Sequence, residues 1–324
     1  MRAILVERLG SPDDFVLREI ESPHAGEGEV RIDVRVAGCN FSDLLMSKGE
    51  YQVRPELPFV PGGEVAGIVS EVGAGVEGLA VGDRVLSRCG IGGYAEQVVA
   101  AAATTWRMPD EMSFEAGAAL PTVYPTAYAA LAWRAPVQPG ETLLVHAAAG
   151  ATGLAAVQVG KALGARVLAT AGSPEKGEVA CRAGADLAID YRAEDFVARV
   201  LEETDGRGAD VIFDTVGGET TDRSLKCIAW NGRLLVIGFA SGAIPEVKLN
   251  RVLLKNISLV GLHWSAYPER EPERIDDCFA GLFELARRGG IEPLVSARFP
   301  LERAGEALRQ LGARESVGKL VLVP

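Results

Sequence analysis

The most informative stretch of the chain runs Leu143-Leu144-Val145-His146-Ala147-Ala148-Ala149-Gly150-Ala151-Thr152-Gly153. An apolar strand feeds straight into an amphipathic helix through a glycine-bearing turn. Such a turn can cradle phosphate, because the first N–H groups of a helix have no intrahelical acceptor and the peptide dipoles add positive potential there. Against the pattern G-x-G-x-x-G, Ala148 replaces the first glycine. Gly150 keeps the close backbone approach to a pyrophosphate, and Gly153 keeps the close packing of helix on strand. The expected phosphate contacts are Ala149, Gly150, Ala151, Thr152 and Gly153. A turn of this kind can also be purely structural, so the reading depends on the strands around it.

The following strand ends Ala169-Thr170-Ala171-Gly172-Ser173, without the Asp or Glu that binds a ribose 2′-hydroxyl and repels a 2′-phosphate. NADPH is therefore favoured over NADH. Ser173 can donate a hydrogen bond to that phosphate, Lys176 can reach it as a point charge, and Tyr191 with Arg192 can close the adenosine pocket. The alternative for Lys176 is an ordinary solvated lysine in the first turn of a helix. His146 is expected to be a buried, hydrogen-bonded residue rather than a catalyst.

Metal-ligand spacing is missing. The five cysteines, Cys39, Cys89, Cys181, Cys227 and Cys278, form no C-x-x-C pair, and the three histidines, His24, His146 and His263, are equally dispersed. Scattered cysteines, odd in number, fit free thiols in a reducing compartment.

The elements that must position these groups fall into two patterns. Residues 1 to about 120 read as short strands (Arg2 to Glu7, Glu29 to Gly38, Val65 to Val72, Arg84 to Leu86, Tyr94 to Val99) broken by glycine and proline turns. From 121 the chain alternates apolar strand, turn and helix. Strands at Thr142 to Ala147, Arg166 to Ala171, Leu187 to Asp190, Asp210 to Asp214, Arg233 to Gly238 and Ile257 to Leu262 make a doubly wound parallel α/β sheet. Residues 265–324, with helices near Arg274 to Arg287 and Glu302 to Leu311 and a closing strand Lys319 to Val323, are expected to rejoin the first domain. The expected division is thus 1–120 with 265–324, and 121–264.

The 324 residues are 48% hydrophobic and 24% charged, with a net charge of -11 and no basic run, which argues against nucleic acid and anionic membrane as partners. No signal core opens the chain. The uncharged stretch Ala116 to Trp133 contains Pro121 and Pro125 and reads as a buried interdomain segment rather than a membrane span. A cytoplasmic location and no membrane insertion are expected. The last strand of the sheet, Ile257 to Leu262, is a candidate exposed edge able to pair across a two-fold axis, so a homodimer is expected, with a covered edge in a monomer as the alternative.

Several motifs in order resemble the medium-chain dehydrogenase/reductase superfamily, in particular its zinc-independent quinone oxidoreductase branch. They are Asn40-Phe41-Ser42-Asp43, Gly49-Glu50-Tyr51, Pro61-Gly62-Gly63-Glu64-Val65-Ala66-Gly67, Val81-Gly82-Asp83-Arg84-Val85, Gly92-Gly93-Tyr94-Ala95-Glu96 and the phosphate turn. Gly261-Leu262-His263-Trp264 with Tyr267 and Pro268 is similar to the bacterial NADPH:quinone reductase-like group. The resemblance implies a six-stranded Rossmann domain plus a β-rich GroES-like catalytic domain. Zinc-dependent relatives carry cysteine at the position of Asn40 and histidine at that of Gly63, and a four-cysteine lobe where Leu86 to Gly93 holds only Cys89. The resemblance therefore implies a metal-free site.

It also implies that Asn40, Asp43 and Tyr51 line a cleft beside the nicotinamide, Tyr51 orienting the acceptor carbonyl or supplying a proton. For Asn40 and Asp43 a helix cap and first-turn acid remain the alternative. Thr126 is implied at the nicotinamide end, with helix packing as its other role. Gly217, Gly238, Phe239, His263 and Trp264 are implied around the ribose and nicotinamide. The expected activity is NADPH-dependent reduction of quinones or related conjugated carbonyls by direct hydride transfer. The alternatives are an enoyl-thioester or enone reductase, and a non-catalytic NADPH-binding protein.

Overall fold

The computed structural model describes residues 1–324 and divides into two compact units. One comprises Met1–Thr122 with Pro293–Pro324, the other Val123–Glu292.

In the first unit the long strand Glu29–Gly38 organises the sheet. Val30, Ile32, Val34 and Val36 are buried at alternate positions, as a half-buried strand requires. Val65–Val72 and Gln97–Ala101 pair antiparallel with it. The sheet continues through Arg84–Ser87 to Thr105–Arg107 on one side, and through Lys319–Val323 to Val295–Pro300 on the other. The closing strand runs antiparallel to the end of Glu29–Gly38, with Val321 opposite Gly38 and Leu322 opposite Ala37. That register carries the start of the last strand past Cys39, whose N–H donates to the Leu320 carbonyl at 2.9 Å. The core between these strands includes Ile4, Val30, Ile32, Val85, Tyr94, Leu320 and Leu322.

The second unit is a doubly wound Rossmann fold. Its six strands are all parallel and lie in the order Leu187–Asp190, Arg166–Ala171, Thr142–Val145, Ala209–Asp214, Ile228–Val236, Ser258–Gly261. Strand order reverses at the centre, so the turns after these strands open on a common crevice at their carboxyl ends. Leu144, Leu168, Ile212 and Leu234 are fully buried, which is why the strands read as continuous apolar runs.

The second boundary corrects the sequence-based one at 264/265: the Rossmann unit extends to Glu292. Helix Glu273–Arg287 buries Ile275, Cys278, Phe279 and Leu282, and belongs with helix Val123–Tyr128. Gly281 makes the close approach possible, since a Cβ there would lie 2.5 Å from the Tyr128 hydroxyl. The segment Ala116 to Trp133 is broken into helices Phe114–Ala119 and Val123–Tyr128 and a π-helical turn, Ala129–Arg134. No helix is long and apolar enough to cross a membrane.

Candidate active site

In the first unit, Asn40 and Asp43 stand at the start of helix Phe41–Ser47, where Asn40 is the N-cap. The Asp43 carboxylate accepts from the Asn40 backbone N–H at 2.8 Å, one arm of a capping box. The same oxygen accepts from the Tyr94 hydroxyl at 2.9 Å. Burial pushes the Asp43 carboxyl up to about 6, while these two hydrogen bonds pull it back.

The Asn40 side chain is held from two sides. Its Nδ2 donates to Glu64 Oε1 at 2.9 Å, and its Oδ1 accepts from Lys319 Nζ at 2.6 Å. Lys319 also forms an ion pair with Glu64, both side chains being buried. Gly38 makes room for this, because a Cβ there would meet Glu64 Oε1 at 2.3 Å and the Ala118 carbonyl at 2.6 Å. Glu64 Oε2 is buried with no protein donor.

Tyr51 is placed apart from this network. It packs against the cluster of Val6, Met46 and Phe59. Arg88 is its charged neighbour, a guanidinium lowered from its ordinary value by burial and sustained by Tyr51, Glu64 and Cys89.

In the second unit the turns gather at the carboxyl ends of the strands. Helix Ala151–Ala162 begins after Gly150, with no side chain capping it, so its first N–H groups have neither an intrahelical acceptor nor a side-chain cap. Gly153 packs where a Cβ would lie 2.3 Å from the Ala147 carbonyl oxygen. The residue forced into the left-handed region is Ala147, at φ 50°. After the second strand, Ser173 caps helix Pro174–Arg182, its hydroxyl accepting from Lys176 N–H at 3.3 Å. Tyr191 and Arg192 close over Gly172, where a Cβ would meet the Tyr191 hydroxyl at 2.7 Å. Ser173, Lys176 and Tyr191 thus share one corner.

Asp214 ends the fourth strand and accepts from the Val216 and Gly217 N–H groups at 2.8 and 3.0 Å. Gly217, at φ 74°, lies against Phe239, whose ring edge would be 2.8 Å from a Cβ at 217. Gly238 neighbours the Thr215 carbonyl, so these fourth- and fifth-strand turns meet. Thr126 lies in helix Val123–Tyr128. His263 is exposed at the end of the sixth strand's turn. Trp264 is buried and stacks on Tyr267 at 5.3 Å, in an aromatic row that continues to Trp133 and Tyr128. Its indole N–H has no protein acceptor.

His146 is buried between Thr170 and Ser224. The Ser224 hydroxyl donates its single proton to the Thr220 carbonyl at 2.7 Å, so His146 Nε2 must donate to Ser224 at 2.8 Å and Nδ1 accept from Thr170 at 2.9 Å. Burial drives its pKa down to about 4, keeping the ring neutral.

Glu64, Lys319, Tyr94 and Arg88 were not singled out from sequence. The available signal was Lys319, a lone cation opening an otherwise apolar closing strand. No group of three or more His, Cys, Asp and Glu side chains is arranged to hold a metal ion.

A Rossmann unit with a phosphate-ready turn, joined to a GroES-like unit with a buried polar cluster, defines a pyridine-nucleotide oxidoreductase of the medium-chain type. Two family models match the chain, the alcohol dehydrogenase GroES-like domain over residues 26–110 and the zinc-binding dehydrogenase over residues 151–280. A quinone oxidoreductase-like protein 2 homolog from Nematostella vectensis is 43% identical over 324 residues, covering 99% of this chain and 88% of the relative. The quinone oxidoreductase of Pseudomonas aeruginosa is 38% identical, covering 97% of each. Among solved structures, Escherichia coli quinone oxidoreductase complexed with NADPH matches with a TM-score of 0.92 at 34% identity, covering 100% of both chains. The chain belongs to the medium-chain dehydrogenase/reductase superfamily, in its zinc-independent quinone oxidoreductase branch.

Proposed function

We propose that this chain reduces quinones or related conjugated carbonyl compounds with NADPH, by direct hydride transfer and without zinc. The observation that carries the reading is the fixed carboxamide of Asn40, held by Glu64 and Lys319 where a metal-dependent relative has a ligand.

The residues present fit the nucleotide. The uncapped helix start at Ala149 to Gly153 offers N–H groups to a pyrophosphate, and the second strand ends in Gly172-Ser173 with no carboxylate. Ser173, Lys176 and Tyr191 would hold the 2′-phosphate end. Gly217, Gly238, Phe239, Thr126, His263 and Trp264 are proposed toward the ribose and nicotinamide. When bound, NADPH supplies the hydride.

The chain's own residues must then stabilise the acceptor. As hydride adds to a conjugated system, negative charge grows on the carbonyl oxygen, and a preoriented N–H donor stabilises it more in the transition state than in the ground state. Asn40 Nδ2 is that donor. Asp43 fixes the helix that carries Asn40. A hydroquinone takes its protons from solvent, whereas an enone needs one delivered to carbon, a task for the Tyr51 hydroxyl.

A homodimer is proposed through the edge strand Ser258–Gly261, which is largely exposed. Beside it in sequence, Ile244, Leu249, Leu253 and Leu254 are all more than two-thirds exposed, at 77%, 75%, 79% and 71%. So much exposed apolar surface supports a second copy as its cover. All five cysteines are free, which supports a reducing, cytoplasmic setting.

Loss of NADPH absorbance with quinones, alkenals and enoyl thioesters tests the reading. Turnover of quinones is expected. Turnover of enoyl thioesters alone would replace it with the enoyl reductase reading, and tight NADPH binding without reduction of any acceptor would overturn both.

A further inference from the structure

We infer that Lys319 and Glu64 are positioning residues which turn the Asn40 carboxamide so that it presents an N–H, and not its oxygen, to the acceptor. This rests on the function proposed above and adds two residues to it from distant parts of the chain.

A carboxamide is nearly symmetric in shape, and its two orientations offer opposite chemistry. One presents a donor, the other a carbonyl oxygen that repels an acceptor's growing negative charge. Here the choice is made by partners. An ammonium has only hydrogens to give, so the side facing Lys319 Nζ, 2.6 Å away, must be Oδ1. The opposite side then carries Nδ2, and Glu64 Oε1 receives one of its two hydrogens at 2.9 Å. The second Nδ2 hydrogen has no protein acceptor and is the group left for substrate.

The arrangement is stiff. Glu64 is fully buried, and Lys319 and Asn40 are 3% and 8% exposed, so water does not compete for these contacts. Lys319 opens a strand hydrogen-bonded to the residue preceding Asn40, through Cys39 N–H and the Leu320 carbonyl. Glu64 is held by the strand-entry turn before Val65–Val72. Rotation of the amide would place Nδ2 against an ammonium and Oδ1 against a carboxylate. Both contacts would then be repulsive.

Replacing Lys319 alone strands a buried carboxylate, so the test uses the pair Glu64→Gln with Lys319→Met. This pair removes the ion pair together and leaves at position 64 an amide able to accept or donate, which frees Asn40 to turn. With NADPH affinity and melting temperature measured on the same samples, kcat/KM for the acceptor is expected to fall by about ten- to a hundredfold. Asn40→Ala should lose a similar amount, and combining all three substitutions should cost no more than Asn40→Ala alone. A folded Glu64→Gln/Lys319→Met protein with wild-type kcat/KM, or losses that multiply with Asn40→Ala, would overturn the inference.

A spectroscopic readout keeps this separate from the identity of the substrate. The chain has four asparagines, at 40, 231, 250 and 256, so selective 15N-asparagine labelling resolves the Asn40 amide protons. In the wild-type protein one Nδ2 proton should be shifted strongly downfield by its carboxylate acceptor, and the shift should vanish in the paired variant. An unchanged Asn40 signal refutes positioning even where turnover is seen. If the wild-type protein reduces no acceptor, the proposed function fails, while the amide signal still decides whether Lys319 and Glu64 hold Asn40.

Discussion

The hydroxyl of Tyr94 donates to Asp43 Oδ2 at 2.9 Å in a fully buried site, so a side chain from the turn before one strand sets the acidity of a helix-start carboxyl. Tyr94 itself is held well above its ordinary pKa, first by burial and then by Asp43, so it remains a donor. Tyr94→Phe should raise the Asp43 pKa further above about 6, because a hydrogen bond that lowers it is removed. Stability near neutral pH should fall by about 1–3 kcal/mol. Carboxyl 13C titration and urea unfolding check both, and an unmoved Asp43 would contradict the assignment.

His146 gives a pH dependence of defined sign. Its folded pKa of about 4 lies below the ordinary 6.5, so the unfolded chain binds the proton first. The stability held by the neutral ring is complete above 6.5 and is lost as pH falls toward 4. Asp43 has the opposite sign, favouring the folded state below 3.8 and losing that advantage as pH rises through about 6. Comparing the wild-type protein with His146→Asn cancels Asp43. The variant's deficit in melting temperature should shrink as pH drops from about 7.5 to about 4.5. A deficit that grows over that range would refute a neutral buried ring.

Gly153→Ala brings a methyl group within 2.3 Å of the Ala147 carbonyl oxygen and 2.7 Å of Ala148 Cα. Neither is a flexible side chain, so the turn itself must move. Stability should drop by about 1–3 kcal/mol, and NADPH affinity by at least about tenfold, since the N–H groups proposed to meet the pyrophosphate shift with the turn. Thermal unfolding reads the first effect and calorimetric titration with NADPH the second, and retained affinity would show that the turn does not carry the phosphates.

Lys176→Ala separates the two nicotinamide nucleotides. Removing one charge-assisted contact to a 2′-phosphate should weaken NADPH by about ten- to a hundredfold while NADH changes little. Fluorescence titration with each nucleotide measures the ratio. Equal losses would leave Lys176 as a surface lysine of its helix.

Leu259, on the edge strand and 37% exposed, provides the test of assembly. Leu259→Lys sets like charges near one another across a two-fold axis and should convert a dimer into monomer. Light scattering on both proteins decides it, and a monomeric wild-type chain would remove the dimer.

Much of the Rossmann unit was legible because its evidence is local. The strands Arg166–Ala171 and Leu187–Asp190 match their sequence-based limits, the first because burial on both faces of a parallel sheet demands a nearly unbroken apolar run, the second because Ile189 is buried at an otherwise half-buried sheet edge. The turn into helix Ala151–Ala162 was equally plain, as helix start and glycine spacing occupy a few consecutive residues. Strands Val16–Glu19, Thr105–Arg107 and Val295–Pro300 were not, being mostly half-buried or exposed, so their pairing rather than their composition makes them strands.

By itself, then, the order of residues determined the alternation of strand and helix, the glycine-bearing turn before helix Ala151–Ala162 and the amino acids standing at positions 40 and 63. Those depend on neighbours along the chain. Only the tertiary structure decided that helix Glu273–Arg287 belongs to the Rossmann unit, that Tyr51 lies outside the hydrogen-bonded cluster, and that Lys319 reaches Asn40 across 279 residues. Such contacts are set by strand register and by which apolar face finds a partner, and no local pattern records either. The way Asn40 faces is the sharpest instance, because a residue near the end of the chain settles it.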